Sequence, residues 1–223
     1  RLFLVEELNN YRAKKMGLPV PESRFVFLKV NGKNIGIYWE VEQWSKEMIE
    51  KNSLSSDTNL YGESGFIGER LYQDIVDWNK YIAEPLPPPE DRSDLRQFLT
   101  VLNHPSDQYF YENIGNIIDL DNFYRWQAHS VLAGGISQDA FHNARLYFDN
   151  TLGKFKFIPW DVNLAQLDDR RRIDGLDRNP VSRRVITSPA MLLESQRALW
   201  NYVKDEKNLE DDLKFYDVTL AQV

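Results

Sequence analysis

The sequence predicts an α+β fold on three observations. Residues 24–30 (RFVFLKV) and 35–41 (IGIYWEV) alternate around Asn31-Gly32, a strong hairpin signal. Residues 145–149 and 154–158 alternate around Asn150–Gly153, which reads as a second hairpin. Elsewhere, long stretches carry apolar residues at helical spacing.

Residues 2–16 read as a helix, with Leu4, Leu8 and Tyr11 at i, i+4 and i+7 and Lys14 and Lys15 at its C-terminal end. Gly17 caps it, and Pro19 and Pro21 prevent continuation. The first hairpin follows, then a short amphipathic helix around 43–51. Residues 52–69 read as loop enclosing one short apolar piece at Asn59–Tyr61. Residues 84–91 (EPLPPPED) can be neither helix interior nor central strand, because proline lacks the amide N–H. They fit a linker or a surface crossing, and the length favours a crossing within a single domain spanning 1–223. Residues 91–134 are mostly helical. Ser106 or Asp107 caps one start, and Asp119 or Asp121 another. After the second hairpin, 168–178 is a solvated charged stretch, and 181–187 and 189–205 are helical. No internal repeat is present.

Composition narrows the function. Hydrophobic residues make up 42% and charged residues 27%, so the chain can bury a core. There is no cysteine, which excludes disulfides, thiolate nucleophiles and cysteine-ligated metals. A net charge of −7 disfavours a nucleic-acid footprint. No apolar run reaches the ~18–20 residues of a membrane span. The chain opens at Arg1 without an initiator Met and is expected to be a piece of a longer protein.

Chemistry concentrates in residues 137–163. The polar run Ser137-Gln138-Asp139 and His142-Asn143 precedes the first strand of the second hairpin; Pro159-Trp160-Asp161-Val162-Asn163 follows its second strand. A hairpin sets those two flanks side by side. Asp139, His142 and Asn143 are thus expected near Asp161 and Asn163. Hard oxygen ligands of this kind suit Mg²⁺ or Ca²⁺. The plainer reading makes Asp139 a turn cap and Asp161 a helix cap.

The run HNARLYFDNTLGKFKFIPWDVN, with an Asp just upstream, resembles the spore coat protein H (CotH) kinase family. Residues 16–43, 119–135 and 179–186 resemble further family segments in family order. The resemblance implies an atypical protein-kinase-like domain, incomplete at its N-terminus, that transfers phosphate from ATP to protein Ser/Thr with Mg²⁺. It implies Asp139 as the catalytic Asp, Asp161 as the metal-holding Asp and Asn143 as a metal-supporting Asn. It also implies a spore-coat or cell-surface setting.

The sequence departs from the family pattern at several points. The Asp139–Asn143 interval is one residue short, which puts Gln138 where the family's Asp belongs. Asn163 replaces a second Asp, and Gly62 follows Tyr61 where some members carry Lys. Kinase-type transfer also needs a Lys on the phosphates. Lys29 and Lys33 on the first hairpin are candidates, set against an ordinary solvated edge charge. Arg170, with Arg171 and Arg172, could meet phosphates or form a solvated face. Gly62, Gly65 and Gly68 are spaced as a loop without a nucleotide-binding pattern. Arg183 and Arg184 read as part-buried helical residues. His104, His129 and His142 lack zinc spacing, and Ser182 and Ser195 lack a hydrolase elbow. The alternative to an enzyme is a catalytically weak or dead relative serving as a scaffold or binding module.

Overall fold

The computed structural model describes residues 2–64, 71–83, 90–134, 137–162 and 178–223, the Leu2 side chain excepted. The fold is α+β. Helix α1 (Leu2–Lys15) leads into strands β1 (Ser23–Val30) and β2 (Lys33–Val41). These pair antiparallel as a two-stranded sheet with Phe25 opposite Trp39 and Phe27 opposite Ile37. The turn falls at Asn31-Gly32, whose φ angles of 50° and 78° are the left-handed values a tight hairpin turn requires.

A second sheet has the order β4-β3-β5-β6, built from β3 (Leu60–Glu63), β4 (Trp78–Ile82), β5 (Arg145–Asp149) and β6 (Lys154–Phe157). The expected hairpin is the β5–β6 pair, with Leu146 opposite Phe157 and Asp149 opposite Lys154. Strand β3 is central: Leu60 faces Ile82 on one side and Tyr147 on the other. Residues read as loop therefore hold a strand. Its four residues are too short for alternation to register, and burial on both flanks, not pattern, fixes it.

The helices cover this sheet. Helix α2 (Lys46–Lys51) starts three residues later than expected, because Ser45 caps it by accepting from the Met48 amide. Three helices fill 91–134: α3 (Ser93–Leu102), α4 (Asp107–Ile117) and α5 (Leu120–Leu132). Of the alternatives, Ser106 caps α4 and Asp119 caps α5. Beyond lie α6 (Pro180–Val185), α7 (Pro189–Val203) and α8 (Glu206–Leu220). One apolar core joins Phe98, Phe110, Phe123 and Trp126 of the helices to Tyr61, Leu146, Phe155 and Phe157 of the sheet. Burial of aromatics on this scale is the main drive for folding.

Helix α1 departs from the expectation in one respect. Leu4 is buried, but Leu8 and Tyr11 are only half covered; the rest of the buried face is Glu6, Asn9, Asn10, Ala13 and Met16. Two of its polar members, Glu6 and Asn9, meet the region described next, while Asn10 bonds Ser23. Arg184 holds the carbonyls of Leu102 and His104 and pairs with Asp107 at 2.7 Å, a joint between α6 and α4. Most of the Pro-rich crossing (84–89) lies outside the described residues, as does all of 168–178 apart from Arg178.

Candidate functional site

The β5–β6 hairpin sets its two flanks side by side. Ser137 Oγ donates to the Asp161 carbonyl at 2.8 Å. The Asn143 amide nitrogen Nδ2 donates to Asp161 Oδ2 at 3.0 Å and to the Ser137 carbonyl at 3.2 Å. Asn143 and Asp161 both adopt left-handed backbone conformations, with φ of 60° and 51°. Non-glycine residues seldom do so, and such positions concentrate at functional sites.

Burial pushes the Asp161 carboxyl above the usual carboxylate range; the Asn143 bond opposes this, Glu63 adds to it and His142 opposes it. A second carboxylate faces Asp161 from α1. Glu6 is buried and forms no hydrogen bond or ion pair among the described residues. Burial, then the charges of Asp161 and Glu7, push its carboxyl up to about 7. The helix carrying it is pinned to this region, since Asn9 Nδ2 donates to the Val162 carbonyl at 2.6 Å. His129 of α5 locks the same helix, its Nε2–H donating to the Asn9 carbonyl at 2.8 Å. Burial drives the His129 pKa down to about 4, so it is neutral and structural.

Asp139 sits in the same loop. Its Oδ1 accepts the amides of Phe141 and His142 at 2.8 and 2.9 Å and faces His142 Nδ1 at 3.1 Å. This is the turn-cap role foreseen for it, and it leaves Oδ2 without a hydrogen bond among the described residues. Its neighbour Gln138 turns inward. Gln138 Oε1 accepts from Trp126 Nε1 at 3.0 Å and from the Trp160 amide at 3.1 Å, while Nε2 donates to Ser130 Oγ at 2.8 Å. Every polar atom of that side chain is used to staple the loop to α5.

Arg145 fills the floor beside this loop. It pairs with Glu63 and lies 5.1–5.4 Å from the ring centres of Trp44, Tyr81 and Trp160. Residue 62 has little room for a Cβ, which would stand 2.5 Å from Tyr81 Cε2, 2.7 Å from Arg145 Nη1 and 3.1 Å from the Ala144 carbonyl.

The remaining sequence candidates fall elsewhere. Lys29 is exposed on β1 opposite Asn34, and Lys33 is exposed opposite Val30, both at the turn end of the two-stranded sheet. His104 stacks on Tyr109 at 3.9 Å. Arg170, Arg171, Arg172, Asn163, Gly65 and Gly68 lie outside the described residues. Glu6 and Asn9 were missed from the sequence. Their signal was a polar pair at i, i+3 on the face that Ala13 and Met16 continue.

Among the described residues no cluster of three or more His, Asp or Glu side chains is arranged to hold a metal. The donors present are of the right kind for a hard cation all the same. Asp161 offers carboxylate oxygen, Asn143 Oδ1 accepts no hydrogen bond among the described residues, and the Glu6 carboxyl, raised to about 7, is a further oxygen donor that a nearby cation would ionise. Such a region is electrostatically suited to a cation that retains several waters, as Mg²⁺ does.

Residues 3–214 match the family model described as CotH kinase protein. The chain is also 28% identical over 155 residues to the inner spore coat protein H of Bacillus subtilis (strain 168). That alignment covers 67% of this chain and 42% of the relative, so the matched region spans less than half of the relative's length.

Proposed function

This chain belongs to the CotH kinase protein family, and from that premise we propose that it is the catalytic part of a kinase-like phosphotransferase acting on protein Ser or Thr in a spore coat. The single observation that carries this reading is the bond between Asn143 and Asp161, made by two residues held in left-handed conformations at the mouth of one hairpin. In this reading Asp161 and Asn143 would hold Mg²⁺, which would supply the charge neutralisation that phosphoryl transfer from ATP needs. The chain's own residues do the rest. Burial of Asp161 strengthens its attraction for a cation. Ser137 fixes the Asp161 carbonyl and Asn9 that of the next residue, Val162. Asp139 Oδ2 takes the proton of the acceptor hydroxyl, while Oδ1 stays bonded to two amides and keeps the carboxylate oriented.

A second reading has its own support. Gln138, at the position one residue nearer to the family spacing, is consumed by structural bonds, and Asp139 Oδ1 is consumed by a turn. A relative that keeps the fold as a binding module would look the same. The deciding experiment is phosphate transfer from labelled ATP to a Ser/Thr-rich protein by the full-length protein with Mg²⁺. Transfer that Asp161→Asn abolishes supports the kinase. Nucleotide binding without transfer supports the binding module.

A further inference from the structure

Helix α8 carries a seam that the fold does not use. Leu209, Leu213, Tyr216 and Leu220 follow a 4-3-4 spacing, the a/d repeat by which one helix packs on another. The three leucines are 61%, 57% and 50% exposed, and α7 ends beside them in sequence on Trp200 and Val203, also exposed. Exposed apolar side chains in such a row mark a contact surface more often than chance scatter does.

The two flanks of the seam differ. On one side Asp212 and Thr219 are buried: Asp212 pairs with Arg12 of α1 at 2.7 Å, and Phe215 stacks on Tyr11 at 4.1 Å. On the other side Glu210 and Asp217, one heptad apart, are exposed and form no ion pair among the described residues; Glu206 continues the acidic row toward the helix start. The row of the open flank next to the seam is therefore acidic, with the exposed Lys207 and Lys214 one row farther out.

We propose that this face docks an amphipathic helix of a partner protein, with leucine-type residues along its seam and Lys or Arg along the flank that meets Glu210 and Asp217. Charge selects this occupant over the others. Two copies of α8 packed antiparallel would set Glu210 and Asp217 against their own counterparts, and like charges across a seam repel. A parallel pair needs the flank already covered by α1. An anionic lipid surface is repelled by the same acidic row. The seam and its flank involve no residue of the Asp161 region, so the proposal stands apart from the reading of that site.

The test uses two labelled synthetic helices of about 21 residues, three heptads long, with leucines in the same spacing. One carries lysines on both flanks and the other glutamates. Anisotropy titrations with the full-length protein should show the lysine helix binding at least about tenfold more tightly than the glutamate helix, with affinity falling as salt rises. Leu213→Gln, at an exposed position, should weaken it about tenfold or more with an unchanged circular dichroism spectrum. Glu210→Lys with Asp217→Lys should reverse the preference toward the glutamate helix. Equal binding of both helices, an unaffected Leu213→Gln variant, or no binding overturns the proposal. So does a concentration-dependent dimer in sedimentation that Leu213→Gln dissolves, because the occupant would then be a second copy.

Discussion

The Asn9 side chain donates to the Val162 carbonyl at 2.6 Å, so a helix near the start of the chain holds the residue directly after Asp161. This bond is buried, and removing the donor leaves a carbonyl without a partner. Asn9→Ala is expected to destabilise the chain by about 1–3 kcal/mol in urea unfolding. It should also weaken metal-dependent nucleotide binding, since the Asp161–Val162 backbone loses one of its two tethers. An unchanged nucleotide affinity would mean that Ser137 alone sets the position of Asp161.

Asp139 and Asp161 should fail in different ways. Asp139→Asn keeps a side-chain oxygen for the Phe141 and His142 amides and removes only the base. Nucleotide affinity should hold while transfer falls ~10²–10⁴-fold, the usual worth of general-base help. Asp161→Asn should lose metal-dependent binding and transfer together. Calorimetry beside a transfer assay separates the two. Full transfer by Asp139→Asn would reduce Asp139 to a turn cap.

The buried Glu6 gives a prediction in pH. Its carboxyl is raised from 4.5 to about 7, so the folded chain holds a proton that the unfolded chain has released. That contribution to stability is complete below pH 4.5 and is lost as pH rises through 7. Glu6→Gln removes the loss. In metal-free urea titrations the variant should gain on the wild type by up to about 3 kcal/mol between pH 4.5 and 8. His129 acts in the opposite sense. Its pKa falls from 6.5 to about 4, so it withdraws stability as pH drops through that interval. The wild type should therefore be flatter from pH 6.5 to 4.5 than the Glu6→Gln variant. A variant with the same pH profile as the wild type would show that Glu6 is charged in the fold.

Gly62→Ala is expected to destabilise by about 1–3 kcal/mol, because overpacking must displace neighbours that are already fixed. Tyr81 can move outward, but Arg145 is held by Glu63 and three rings. Thermal unfolding checks this. A neutral substitution would show that Arg145 swings clear.

What the sequence made legible was local. Asn31-Gly32 and Asn150–Gly153 specify turns by their own chemistry, and both hairpins stand where those residues put them. The juxtaposition of Asn143 and Asp161 follows from the second hairpin alone. The rest depended on contacts far apart in sequence. Strand β3 pairs with β5 some 85 residues away, at Leu60 and Tyr147, and no pattern within four residues reveals that. Glu6 and Asn9 escaped for another reason. A helix is read by where its apolar side chains recur, and α1 places polar ones inward to meet the Asp161 segment.

The left-handed backbone at Asn143 and Asp161 has a bearing on engineering. Each residue occupies a conformation that glycine reaches at lower energy, by about 1 kcal/mol. A library screened only for heat resistance would thus reward Asp161→Gly, which also relieves a half-buried carboxyl beside Glu6, while two hydrogen bonds retain Asn143; its winners would be robust chains stripped of the carboxylate on which the site depends.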